Sequence, residues 1–177
     1  MSVHGHWRSG AHYLNALLKL NFDHEDKTPK GHAFPGAWVT RSNGPVFYTT
    51  RNFADVSDSL WRLRERFGIK AESYEDFLGT KYKDMWHDYG KVQVGRNGKT
   101  TTAGSAAGMR KLDYTPREYW DKHTQAWKKL THPHVHHVDY DNLQANFQEE
   151  MLKIAQYIES DITEFEDIGE AQGWYSL

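Results

Sequence analysis

Val3-His4-Gly5-His6-Trp7-Arg8-Ser9-Gly10-Ala11-His12-Tyr13-Leu14 is the stretch whose pattern carries the fold. Val3 and His4 end a strand, Gly5 and Gly10 bracket a tight turn, and Leu14, Leu17, Leu18 and Leu20 continue as an apolar helical pattern. A strand that feeds through such a turn into a helix aims the first backbone N–H groups of the helix, and the positive end of its dipole, at one spot. That is an anion cradle suited to phosphate. An ordinary glycine turn before a helix has the same short signature.

The Gly5-x4-Gly10 spacing equals the front half of the nucleotide-triphosphatase loop G-x-x-x-x-G-K-[ST]. Ala11 and His12 stand where that motif has its Lys and its Mg²⁺-binding hydroxyl, so ATP or GTP hydrolysis in the usual manner is not expected. Arg8 keeps a cation within the loop. A phosphate-bearing ligand that needs no metal fits better, and a small-molecule kinase is the weakest alternative.

Outward from the loop, 177 residues suggest a single domain spanning 1–177 with a real core. The absence of Cys excludes disulfides and thiolate metal sites. With 22 Lys and Arg against 24 Asp and Glu, general nucleic-acid binding is not indicated. No segment approaches membrane-spanning length, so a soluble cytoplasmic protein without a membrane partner is expected; the oligomeric state is not legible.

Further along, 11–21 reads as a helix and Lys30-Gly31 as the end of a short strand. Ala37 to Arg41 reads as strand or extended segment, and Val46-Phe47-Tyr48-Thr49-Thr50 as the clearest buried strand. Helices follow at about Ala54 to Phe67, Tyr74 to Tyr89, Pro116 to Leu130 and Leu143 to Ile158, with a strand from Val135 to Tyr140. The Gly-, Thr- and Ala-rich stretch 90–108 is either a flexible lid or a plain connector. The acidic segment Glu159 to Glu170 and the residues after it read as a tail that packs back. Strands alternating with helices indicate α/β, a three-layer α/β/α build around a central parallel sheet.

Three ordered motifs make the chain resemble the sulfotransferases that use 3′-phosphoadenosine 5′-phosphosulfate. Trp7-Arg8-Ser9-Gly10-Ala11-His12-Tyr13 lies where that family has Pro-Lys-Ser-Gly-Thr-Thr-Trp. Arg51-Asn52-Phe53-Ala54-Asp55-Val56-Ser57-Asp58-Ser59 keeps the Arg, Asn, Asp and Ser of R-N-P-x-D-x-x-x-S. Tyr140-Asp141-Asn142-Leu143 resembles the late Y-E-D-L turn.

The resemblance implies a P-loop-like, sulfotransferase-type fold and a cofactor site made of Arg8, Ser9, Gly10, Ala11, His12, Tyr13, Arg51, Ser59 and Tyr140. Arg51 and Ser59 would hold the 3′-phosphate, a salt bridge from Arg51 to Asp55 being the plainer alternative. Tyr13 would stack on adenine with Tyr140 near the same base, though either also suits the core. Arg8 would offset charge in the transition state, and Lys30-Gly31-His32 is similar to the K-T-H that carries the family's catalytic base. His12 is the rival base. The donor would be 3′-phosphoadenosine 5′-phosphosulfate and the nucleotide product 3′-phosphoadenosine 5′-phosphate, with no metal. The partner would be a small acceptor bearing a hydroxyl or amine, bound near Phe34, Trp38, the Tyr74–Tyr89 segment and the 90–108 loop.

The chain departs from the family in lacking the loop hydroxyls, in the short separation from Arg8 to His32, and in having no late R-K-G segment. Arg96-Asn97-Gly98-Lys99 looks similar to that segment but precedes the Tyr140 turn. A degenerate member that binds nucleotide or a partner without catalysis is therefore the second expectation. His132-Pro133-His134-Val135-His136-His137 invites a metal reading, with His134 and His136 on one strand face and His137 opposite, but no carboxylate or cysteine partner is evident and the segment matches the strand before the Tyr140 turn, so no metal site is expected.

Overall fold

Ser2–Gly5 forms β1 and Ala11–Phe22 forms α1, with the glycine turn between them. The computed structural model describes residues 1–22, 30–40, 44–85, 93–94, 100–101 and 111–169. Further strands are β2 (Lys30–Gly31), β3 (Val46–Thr50), β4 (Gln93–Val94), β5 (Thr100–Thr101) and β6 (Val135–Asp139). Helices after α1 are α2 (Ala37–Thr40), α3 (Phe53–Arg62), α4 (Arg64–Phe67), α5 (Tyr74–Gly79), α6 (Pro116–Lys128), α7 (Tyr140–Ala145) and α8 (Phe147–Tyr157).

β1, β2, β3 and β6 form one sheet in the order β2-β1-β3-β6, and every pairing is parallel. Val3 lies opposite both Lys30 and Phe47, and Phe47 lies opposite His136. Such sheets bury both faces, which is why β3 reads as a continuous apolar and aromatic run rather than an alternation. The two-residue side-chain period then divides its contacts. Phe47 enters a core with Val3, Leu14, Leu17, Leu18, Leu143, Met151 and Ile154, while Tyr48 packs on the other face with Val39, Val46 and Trp127. Tyr48 and Trp127 stack with centroids 4.6 Å apart. The chain is thus α/β with helices on both faces of a parallel sheet.

Chain contacts divide into two compact units, Met1–Asn52 with Thr124–Leu177, and Phe53–His123. The first holds the parallel sheet. The second holds α3 to α5, where Trp61, Tyr74 and Phe77 form a ring cluster and the Ser57 hydroxyl lies 2.6 Å from the Tyr74 hydroxyl. Ser73 caps α5 by accepting from the Asp76 N–H at 3.0 Å. β4 and β5 pair antiparallel, and the rest of the 90–108 stretch lies outside the described residues, as do Arg96 to Lys99.

Several boundaries differ from the sequence reading. Ala37–Thr40 is a single helical turn rather than a strand; the Val39 N–H bonds the Gly36 carbonyl at 2.9 Å, and Pro35-Gly36 supplies the turn that starts it. The helix after β3 breaks at Leu63, whose N–H reaches back only three residues to Leu60. The last helical stretch starts earlier, at Tyr140, because Asp139 caps it by accepting from the Asn142 N–H. It breaks at Asn146, whose side chain bonds Asn142 and whose backbone (φ −129°, ψ 48°) is not helical. Helix at the Tyr74 end stops at Gly79, followed by a short 3₁₀ turn over Tyr82–Asp84; residues 86–89 lie outside the described residues.

The acidic tail does pack back as far as Gly169. Phe165 is buried against Phe22, the Glu166 N–H donates to Asn21 Oδ1 at 2.8 Å, and Gln148 brackets the Phe165 backbone.

Candidate active site

All four strands of the parallel sheet end on one edge, and each ends beside a residue singled out by the sequence. His32 follows β2, the Gly5–Gly10 loop follows β1, Arg51 follows β3 and Tyr140 follows β6. The carboxyl edge of a parallel sheet is where ligands gather in folds of this kind.

The loop is built by its own hydroxyl. Ser9, fully buried, donates from its side chain to the His6 carbonyl at 2.7 Å and from its N–H to the same oxygen at 3.1 Å. Its Oγ also lies 3.0 Å from Thr49 Oγ1 at the end of β3, tying the loop to the neighbouring strand. A side chain at Gly5 would overlap both hydroxyls, so this strand-to-loop approach requires glycine. Gly10, at φ 89°, sits where a side chain would collide with the Tyr140 ring. Arg8 adopts φ 68°, a left-handed conformation that costs a non-glycine residue energy and is found where a loop is shaped for use. The Leu14 N–H makes the first helical bond, to the Gly10 carbonyl at 3.0 Å, so the N–H groups of Ala11, His12 and Tyr13 precede the helical ladder.

Tyr140 links the loop to the second cation. The Arg51 guanidinium lies over its ring, 4.8 Å from the centroid, and both Arg51 and Arg8 act on its phenol electrostatically. Burial is nevertheless the largest influence and raises the Tyr140 pKa. Asp141 pairs with Arg51 Nε at 3.4 Å and accepts from the Asn52 N–H and Nδ2 at 3.3 and 2.8 Å. Ser59 lies on α3 in the second compact unit.

His32 is oriented by the loop. Its Nδ1 lies 2.7 Å from the Gly5 carbonyl oxygen, which can only accept, so Nδ1 carries the proton and Nε2 is the nitrogen that gains or loses one. Burial lowers the His32 pKa, opposed by the Gly5 hydrogen bond. His12 is exposed on α1. Tyr13 is buried: its hydroxyl donates to Asp167 at 2.7 Å and its ring meets Tyr140 edge-on at 5.6 Å. Burial, then the Asp167 contact, raises its pKa.

Thr49, Asp141 and Asp167 escaped the sequence reading. Thr49 sits two residues before Arg51 in an obvious strand, but only the fold shows that it faces Ser9. Asp141 belongs to a quoted motif, without a hint of its partners. His136 packs against Phe47 and Tyr157 while His137 meets Tyr48 on the other face of the sheet. Among the described residues, no three metal-type ligands come together. No described helix is long and apolar enough to cross a membrane.

A glycine loop, a part-buried histidine and an arginine thus follow neighbouring strands on the carboxyl edge of the parallel sheet of an α/β protein. Residues 30–171 match the family model described as Sulfotransferase domain, and the chain belongs to that family. The glycine loop itself precedes the matched residues. Among solved structures, the chain is similar to mouse sulfotransferase SULT7A1, which was crystallised with PAP. The TM-score is 0.61 at 14% identity, over 92% of this chain and 58% of that one. The chain therefore spans less than two thirds of that neighbour's length. No curated protein gives a significant match.

Proposed function

We propose that the chain moves a sulfuryl group from 3′-phosphoadenosine 5′-phosphosulfate to a hydroxyl or amine of a small acceptor. The alignment of His32, the Gly5–Gly10 loop, Arg51 and Tyr140 along one sheet edge carries this reading. Two anion sites suit a nucleotide phosphorylated at both the 5′ and 3′ positions, and the glycine cradle, which a side chain at either end would fill, suits the close approach of a phosphate. The relative crystallised with PAP, the product nucleotide of such a reaction, supports the same ligand.

When bound, the donor supplies an electrophilic sulfur and a phosphate leaving group. Transfer is an in-line displacement: the acceptor oxygen or nitrogen forms a bond to sulfur as the bond from sulfur to the bridging phosphate oxygen breaks. His32 takes the acceptor's proton on Nε2, since Nδ1 donates to the Gly5 carbonyl. Arg8 offsets the charge that develops on the leaving and sulfuryl oxygens. The N–H groups of residues 10 to 13 grip the 5′-phosphate, and Arg51 holds the 3′-phosphate. Tyr13 and Tyr140 border the base, and 1–177 acts as one catalytic domain.

A second reading draws on α1. Ala11 is buried and His12 exposed where hydroxyls would grip phosphate, as expected of a degenerate member that binds nucleotide without turnover. Calorimetric titration with 3′-phosphoadenosine 5′-phosphate and ADP, without metal, tests the nucleotide site. The 3′-phosphorylated ligand should bind preferentially, and Arg51→Ala should cost it roughly 10- to 100-fold in affinity while leaving ADP little changed. Equal or absent binding of both ligands would reject the site. Preferential binding with no transfer to phenol, sugar or amine acceptors would favour the degenerate member.

A further inference from the structure

We propose that the histidine-rich run from His132 to His137 walls a second binding site, for a small apolar molecule that carries one negative charge. A cavity of about 510 Å³ is lined by the end of α6, the linker that follows it, and one face of β6. Val135 and His137 share that face because they are two residues apart on the strand. Residues 128–133 lead into the amino end of β6, whereas the glycine loop, His32 and Arg51 follow carboxyl ends of strands. The cavity shares no residue with that edge. Its volume falls within the roughly 300–1,000 Å³ of small-molecule sites.

Its lining divides by chemistry. Leu130, Pro133 and Val135 are apolar, and Leu130 and Val135 pack against the buried cluster of Val39, Val46, Tyr48 and Trp127. His137 meets the Tyr48 ring edge-on at 5.8 Å, so this wall rests on the core. Lys128 adds an ammonium, Thr131 a hydroxyl, and His132 and His137 imidazoles; no carboxylate is among the described residues of the lining. The His134 N–H donates to His132 Nδ1 at 3.3 Å, so a neutral His132 carries its hydrogen on Nε2. Burial is the main cause that lowers the His137 pKa; a backbone hydrogen bond with Leu130 opposes it, and the Lys128 charge adds to it. The polar groups are therefore a cation and hydrogen-bond donors, which suit an anion. Every lining residue is half-buried or exposed, so water reaches the ammonium and screens it. A bare anion would gain little there. An anion with a hydrocarbon body also covers the three apolar side chains.

The test is an amide NMR titration of the full chain with three probes: 2-naphthoate, its neutral counterpart 2-naphthamide, and acetate, the charged head alone. 2-Naphthoate should bind with a Kd below about 1 mM, more tightly than either companion. It should shift the amides of Thr131, His132 and His137 rather than those of Ala11 to Tyr13. Saturating 3′-phosphoadenosine 5′-phosphate should leave the titration unchanged. Lys128→Gln should weaken 2-naphthoate roughly 2- to 5-fold and leave 2-naphthamide as it was, and Lys128→Glu should weaken it further. Lys129→Glu, one position on and outside the lining, should change it less than Lys128→Gln does.

Shifts centred on the glycine loop, or displacement of 2-naphthoate by the nucleotide, would overturn the proposal. So would equal affinity for the acid and the amide, or a Lys128→Gln titration that matches the parent. Loss of this site would leave nucleotide binding and transfer to be judged on their own measurements.

Discussion

The Tyr140 ring packs directly on the α-carbon of Gly10, in the volume that any side chain at position 10 would need. The contact joins the glycine loop to the first residue of α7 and bars a Cβ for a second reason besides φ 89°. Gly10→Ala should therefore lose about 2–4 kcal/mol, part from the left-handed backbone and part from overlap. Urea denaturation reads the total. The double variant with Tyr140→Leu should recover the overlap part and leave the backbone part, and strict additivity of the two changes would refute the contact.

Ser9 and Thr49 share the next prediction. Both hydroxyls are buried, and Thr49 Oγ1 also reaches the His4 carbonyl at 3.3 Å. Thr49→Val preserves shape but leaves Ser9 Oγ with one partner fewer, and should cost about 1–2 kcal/mol. Ligand affinity should fall with it, because the same contact braces the loop. A variant as stable as the parent would show that the hydroxyl pair contributes nothing.

His4 should make the fold acid-sensitive. It is 5% exposed, stacks on Trp127 at 5.7 Å, and has its pKa lowered from 6.5 to about 4. Because the folded-state value lies below the unfolded one, the unfolded chain binds the extra proton between these limits. The stabilisation is complete above about pH 6.5 and is lost as pH falls toward 4, on the order of 3 kcal/mol in all. His4→Phe keeps a ring and removes the proton site. Its unfolding free energy should depend less steeply on pH from 6.5 to 4, whereas an unchanged slope would assign the acid sensitivity elsewhere.

Phe165 fastens the C-terminal strap. It is 7% exposed and packs 5.8 Å from Phe22, with Gln148 holding its backbone on both sides. Phe165→Ala should cost about 3 kcal/mol by the loss of buried ring. Since the strap also brings Asp167 to the Tyr13 hydroxyl, faster amide exchange at Asp167 and the first turn of α1 should accompany the loss. Unaltered exchange at those amides would mean that the strap is held independently of Phe165.

The comparison of sequence with structure is clearest at β3 and at residues 37–40. Five consecutive apolar and β-branched or aromatic residues can be buried on both faces only as a strand between neighbours, so Val46–Thr50 was legible. Ala37-Trp38-Val39-Thr40 has the same local character and forms a helical turn, because the Gly36 turn preceding it decides its hydrogen bonding. At the site, the order of loop, His32, Arg51 and Tyr140 could be read along the chain. Asp141's contacts with Arg51 and Asn52 bridge 89 positions in the case of the Asn52 bond, and no local pattern encodes a separation of that kind.

Periodicity, glycine placement and residue type thus determined by themselves that this is an α/β chain with a glycine loop after its first strand and a cation after a later one. Those properties depend on residues a few positions apart, where backbone geometry leaves little choice. Tertiary structure decided which nitrogen of His32 donates to the Gly5 carbonyl, which hydroxyl braces the loop, and that Tyr140 rests on Gly10. Each depends on strands distant in sequence becoming neighbours in one parallel sheet, and their order across it is set by packing of the whole chain.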